Sequence, residues 1–111
     1  MSAEFNIISE FHDNTLLLKI DGYINNTGGE KILDEYSKHQ TSSIKRVILD
    51  LEKSKVVNSI GISYLIELIE KLNQNNAKLV FTNLDPTIEK TFRIMGLFQF
   101  AEKADSSDSV F

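Results

Sequence analysis

The stretch VILDLEKSKVVNSIGISYLIELIEKLN, residues 47–73, decides the fold. Val47 to Leu51 is mostly apolar and β-branched near its start, the composition of a strand covered on both faces. After Glu52-Lys53-Ser54-Lys55 and the pair Val56-Val57, a strong helical pattern runs from about Ser59 to Asn73. Ile62, Leu65, Ile66, Ile69 and Leu72 recur there at the spacing of one helix face, the stripe of a helix packed on a sheet. Ile60, Tyr64 and Leu68 form a second row at steps of four. An apolar arc this broad predicts a helix that touches neighbours on two sides.

Upstream, Phe5 to Phe11 mixes apolar and polar residues as a half-exposed strand does, and Thr15 to Ile20 (TLLLKI) reads as a second strand. His12-Asp13-Asn14 between them is turn chemistry, so the two strands form an antiparallel hairpin. Asn25-Asn26-Thr27 offers side-chain oxygens to a helix start, and Ile32, Leu33 and Tyr36 follow at helical spacing. Gly28 and Gly29 weaken that start by up to about 1 kcal/mol each relative to Ala.

Downstream, Lys78 to Thr82 (KLVFT) reads as another buried strand. Asp85-Pro86 opens a helix carrying Ile88, Phe92 and Met95, and Gly96 closes it. Leu97, Phe98 and Phe100 are read as a last short strand. The tail from Ala101 is polar until Val110-Phe111, and is expected to hold a short helix or to fray. The order β-β-α-β-α-β-α-β predicts a single α/β domain over residues 1–111. Its sheet is mixed and mostly parallel, with four or five strands, an N-terminal antiparallel hairpin and helices packed on it.

Composition narrows the function. The chain has 111 residues, 41% of hydrophobic type and 25% charged, enough for one core. Twelve Lys and Arg against 16 Asp and Glu leave a net charge of −4, which argues against a nucleic-acid face. No apolar run approaches the roughly 20 residues that span a bilayer, so no membrane partner is expected. The opening MSAEFNIISE lacks a cationic start followed by an apolar stretch, so no signal peptide is expected. Zero cysteines exclude disulfides and thiolate zinc sites, which fits a cytoplasmic protein. No phosphate-cradling glycine loop, nucleophile elbow or metal-ligand cluster is present, so no enzyme, metal or cofactor is expected. His12 and His39 read as solvated surface residues, and Glu67 and Glu70 as the solvent face of the long helix.

What remains is the junction Val57-Asn58-Ser59-Ile60-Gly61. It joins an apolar segment to the N-terminus of the strongest helix, and ligands and partners meet parallel sheets at the carboxyl ends of strands. The free N–H groups of a first helical turn favour an anion, and a phosphate on a serine there would also charge the surface. The alternative is that Asn58 or Ser59 merely caps the helix.

DLEKSKVVNSIG, from Asp50 to Gly61, resembles the signature of STAS domains, the bacterial anti-sigma factor antagonists. That signature is a strand ending in an N/D-L pair, a short spacer, then D-S-[ST]-G-[LI] opening a helix. Gly22-Tyr23-Ile24-Asn25 is similar to the family's G-x-[LI]-D turn. Phe92 to Phe98 is similar to its F-x-x-x-G-[LF] helix end. The resemblance covers nearly the whole chain. It implies a phospho-acceptor at Ser59, a partner that is both anti-sigma factor and serine kinase, and a phosphatase that reverses the mark. Three positions depart from the family: Asn58 and Asn25 stand where it carries Asp, and Ile60 replaces a small hydroxyl residue.

The expected docking patch comprises Asn25, Asn58, Ser59, Ile60, Gly61, Ile62 and Ser63, with Tyr64 at its edge. Two other readings stay open. One is a constitutive interaction module, assembling with other proteins or weakly with itself, in which Ser59 only caps. The other is a small-ligand binder or enzyme, with a pocket at the strand ends that accepts a nucleotide or lipid.

Overall fold

A computed structural model of the chain describes residues 4–39 and 41–105. Two strands open it, β1 (Asn6–His12) and β2 (Thr15–Asp21), paired antiparallel with His12 opposite Thr15. Asp13 makes the turn at φ 56°, a left-handed conformation that Asp tolerates. Three helix-and-strand units follow. They are α1 (Asn26–Ser37) with β3 (Arg46–Lys53), α2 (Ser59–Gln74) with β4 (Lys78–Thr82), and α3 (Pro86–Ile94) with β5 (Glu102–Ala104). The five strands lie in chain order, β1-β2-β3-β4-β5, with every pairing after the hairpin parallel.

Each crossover moves one strand along, and the helices pack on alternate strand residues. Leu16, Leu18 and Ile20 of β2, Val47, Leu49 and Leu51 of β3, and Leu79 and Phe81 of β4 share one buried cluster with residues of all three helices. Leu17, Ile48 and Val80 point the other way and form a second, small cluster with Ala104 beside it. Both faces of β3 are therefore buried, as its apolar run implies.

The breadth of the apolar arc on α2 has a physical outcome. Ile62, Leu65, Leu68, Ile69 and Leu72 are buried, while the Tyr64 ring lies on α1. A Cβ at Gly29 would come within 2.7 Å of the Tyr64 side chain, so Gly29 is what lets the two helices approach. The helix-propensity loss expected at Gly29 is exchanged for that close packing.

The chain end differs from the sequence expectation. Leu97, Phe98 and Phe100 are not a strand: Gly96, at φ 80°, turns the chain into a 3-10 helix over Leu97–Gln99. This turn buries Leu97 and sets Phe98 against Phe81 and Phe92, at ring separations of 6.2 and 6.5 Å. A strand would have pointed alternate side chains away from that cluster. The last strand lies later, at Glu102–Ala104, where the expected fraying or short helix is replaced by parallel pairing with β4. The rest of that tail, residues 106–111 with Val110-Phe111, lies outside the described residues.

Candidate functional site

Two loops meet at the carboxyl ends of β2 and β3. Ile24, after β2, bridges in parallel to Val57, after β3. The Ile24 N–H donates to the Val56 carbonyl (3.0 Å), and the Asn58 N–H donates to the Ile24 carbonyl (3.2 Å). Lower down, the Gly22 N–H donates to the Lys53 carbonyl (3.1 Å), and the buried Ser54 hydroxyl donates to the Gly22 carbonyl (2.7 Å). Four hydrogen bonds thus bind the loop leading into α1 to the loop leading into α2.

The two helices consequently start side by side, each under an asparagine. The Asn25 side chain accepts from the Gly28 N–H (2.9 Å), and the Asn58 side chain accepts from the Gly61 N–H (2.8 Å). Both residues have extended backbone and cap as small oxygen-bearing side chains do. An amide in place of a carboxylate leaves the cap intact and the site without a fixed negative charge at these two positions.

Ser59 is the first residue of α2 and is exposed. Ser63, one turn on, is exposed too, and its hydroxyl donates to the Ser59 carbonyl (3.1 Å). Ile60 is 52% exposed. Gly61 and Ile62 depart from the expectation that they offer docking area: both are buried. The backbone of Gly61 packs so closely on Ile24 that a Cβ would overlap the Ile24 carbonyl. Ile62 is turned about 100° around the helix from Ser63, far enough to carry its side chain into the core. Tyr64 is half-buried, and its hydroxyl donates to the Asn26 side chain (3.2 Å).

Sequence reasoning left two residues out of the patch. Tyr23 is 45% exposed and Val56 is 54% exposed, both in the joined loops. The signal was present in Gly22-Tyr23-Ile24-Asn25 and in the Val56-Val57 pair. Of this apolar pair only Val57 makes a bridge, and Val56 is left exposed. Exposed large apolar residues at one end of a fold mark an interaction surface more often than a catalytic one.

The histidines lie elsewhere. His12 is exposed, 4.0 Å from Glu10. His39 is not simply solvated: its ring stacks on Phe11 at 6.0 Å, and Nε2 lies 3.7 Å from Glu35. Glu67 and Glu70 face solvent on α2. Among the described residues, no three metal-ligating side chains come together, and no helix is long and apolar enough to cross a membrane.

Comparison with known proteins places these features in company. The STAS domain family model matches residues 6–109. The chain is 25% identical over 97 residues to the "Putative anti-sigma factor antagonist BtrV" of Bordetella bronchiseptica, covering 87% of this chain and 84% of that protein. Its fold is similar to that of the unphosphorylated anti-sigma factor antagonist SpoIIAA, with a TM-score of 0.74 at 17% identity, covering 96% of this chain and 93% of the other. It is also similar to an anti-sigma factor antagonist from Mycobacterium paratuberculosis, with a TM-score of 0.80 at 18% identity, covering 98% and 94%.

Proposed function

The chain belongs to the STAS domain family, and from that premise we propose that it is an anti-sigma factor antagonist, a regulatory protein rather than an enzyme. Its docking patch is the joined pair of helix starts. Tyr23, Val56 and Ile60 supply apolar contact, Asn25, Asn58 and Ser63 the polar surround, and Ser59 the switch. The partner is an anti-sigma factor that is also a serine kinase. It transfers the γ-phosphoryl group of ATP to the Ser59 hydroxyl, which loses its proton, and ADP leaves. A phosphatase hydrolyses the ester and restores the antagonist. The reading fits a cytoplasmic protein without nucleic-acid or membrane contact.

One observation carries it: an exposed hydroxyl at the first position of α2, where two joined loops and the helix start leave Tyr23, Val56 and Ile60 exposed. A phosphate there sits among the free N–H groups of the α2 start, which favours its charge by about 0.3–1 kcal/mol. In the complex the same phosphate would be desolvated against the partner, and an unpaired buried charge costs several kcal/mol. The balance opposes docking by a hundredfold or more, at about 1.4 kcal/mol per tenfold.

The test starts from extract of the native cells. Ser59→Ala retains the anti-sigma factor in a pull-down, and Ser59→Asp loses it. Calorimetry with the recovered partner then gives the ratio, and equal affinities for the two variants sink the switch. A second reading, a constitutive interaction module, draws on Asn25 and Asn58, which leave no carboxylate at either cap to assist phosphoryl transfer. Incubation with the partner kinase and ATP separates the two. A mass gain of one phosphate, absent in Ser59→Ala, supports the switch, and no gain supports the module.

A further inference from the structure

The solvent face of α2 is one continuous stripe. Ser59, Ser63, Ile66, Glu70 and Asn73 follow one another at steps of four, three, four and three, the spacing of a single helix face. At its far end this stripe becomes the wall of a groove of about 250 Å³, whose opposite wall is the turn around Gly96. That turn, forced by φ 80° at Gly96, leaves Met95 51% and Phe100 64% exposed across from Ile66, itself 37% exposed. Among the described residues, Glu70 is the only charged one lining the groove. Neither Glu70 nor its neighbour Glu67 belongs to an ion pair among the described residues.

We propose that this groove is the second half of the docking surface, and that it takes one large apolar side chain flanked by a Lys or Arg from the protein partner that also covers Ser59. The proposal rests on the antagonist reading above. Size argues for a protein anchor, since small-molecule sites begin at about 300 Å³, while a buried anchor residue from a partner needs less. Charge argues for the cation: among the described residues Glu67 and Glu70 belong to no ion pair, and the chain carries a net charge of −4. Reach argues for a single partner. Glu70 lies about 16 Å along the helix from Ser59 at roughly 1.5 Å per residue. A standard interface of about 800 Å² per partner is wide enough to cover both. That separation also exceeds the Debye length of about 8 Å at physiological salt, so charge at Ser59 leaves the groove contact unchanged. The two ends then act independently, and their effects on affinity multiply.

The test measures affinity for the anti-sigma factor recovered above, using Phe100→Ala, Glu70→Lys and each combined with Ser59→Asp. All three positions are exposed, and circular dichroism melts confirm folding. Phe100→Ala and Glu70→Lys are each expected to weaken binding about tenfold, and each double variant to show the product of its single effects. Binding that depends on Ser59 but ignores both groove variants overturns the groove and leaves the antagonist reading standing. Loss with Phe100→Ala alone overturns the cation. No binding of any anti-sigma factor by the wild type overturns both proposals. Sedimentation that finds a dimer abolished by Phe100→Ala assigns the groove to a second copy and overturns the partner proposed here.

Discussion

Replacing Gly61 by alanine tests the joint between the two loops. In an open helix the change stabilises by about 1 kcal/mol, since glycine is the poorer helix former. Here the new methyl group overlaps the Ile24 carbonyl. Ile24 has little freedom to yield: its N–H is bonded to Val56, its carbonyl accepts from Asn58, and its side chain is fully buried. Relief breaks those two hydrogen bonds, at about 1 kcal/mol each. It also distorts a packed site, which costs about 1–3 kcal/mol. The opposing terms leave roughly 3 kcal/mol of net destabilisation, or a melting temperature lower by about 12 °C for a chain this long. Thermal melting followed by circular dichroism reads it directly, with Gly96→Ala as the comparison. A Cβ at Gly96 would meet only the Gln99 side chain, at an ordinary contact distance of 3.8 Å, and is disfavoured only through the φ of 80°, so that variant loses about 1 kcal/mol. If Gly61→Ala melts at or above the wild type, the loops are not locked as described.

Three further outcomes follow from the structure. Asn58→Ala removes the cap on the Gly61 N–H and costs about 1 kcal/mol in urea unfolding, whereas Asn58→Asp keeps the cap and holds wild-type stability at neutral pH. Phe98→Ala opens the cluster with Phe81 and Phe92 and costs about 3 kcal/mol or less, because Phe98 is only partly buried. Glu35 is held below the ordinary glutamate range, chiefly by the hydrogen bond from the Ser9 hydroxyl, with Lys38 and His39 adding attraction and burial opposing. A depressed folded-state pKa gives stability that is present above the unfolded value and lost as pH falls through the folded one. Wild type should therefore exceed Glu35→Gln in stability at neutral pH, with the gap closing in acid. A gap independent of pH refutes the assignment.

The legible parts of the sequence were those governed by neighbours a few residues away. The Asn25, Asn58 and Asp85 caps, the Asp13 turn and the apolar stripe of α2 all depend on local spacing, and the structure has each of them where its residues point, except Ile66 of the stripe, which is 37% exposed. The last strand was not legible, because Glu102-Lys103-Ala104 carries no strand signal of its own and pairs only because α3 delivers it to the edge of β4. At the proposed docking surface, Ser59 could be placed from the helix start alone. Ile62 and Gly61 could not be assigned correctly from proximity to Ser59, because a helix turns successive residues to different faces. Tyr23 and Val56 needed the bridge between Ile24 and Val57, which joins residues far apart in the chain.

The order β1-β2-β3-β4-β5 has a bearing on how the molecule is made. Every strand docks on the one synthesised just before it, so a nascent chain can lengthen its sheet as it leaves the ribosome without waiting for a distant segment. By the time α2 is complete, the serine-bearing corner already has both of its loops, and the final units extend the edge without rearranging what precedes them.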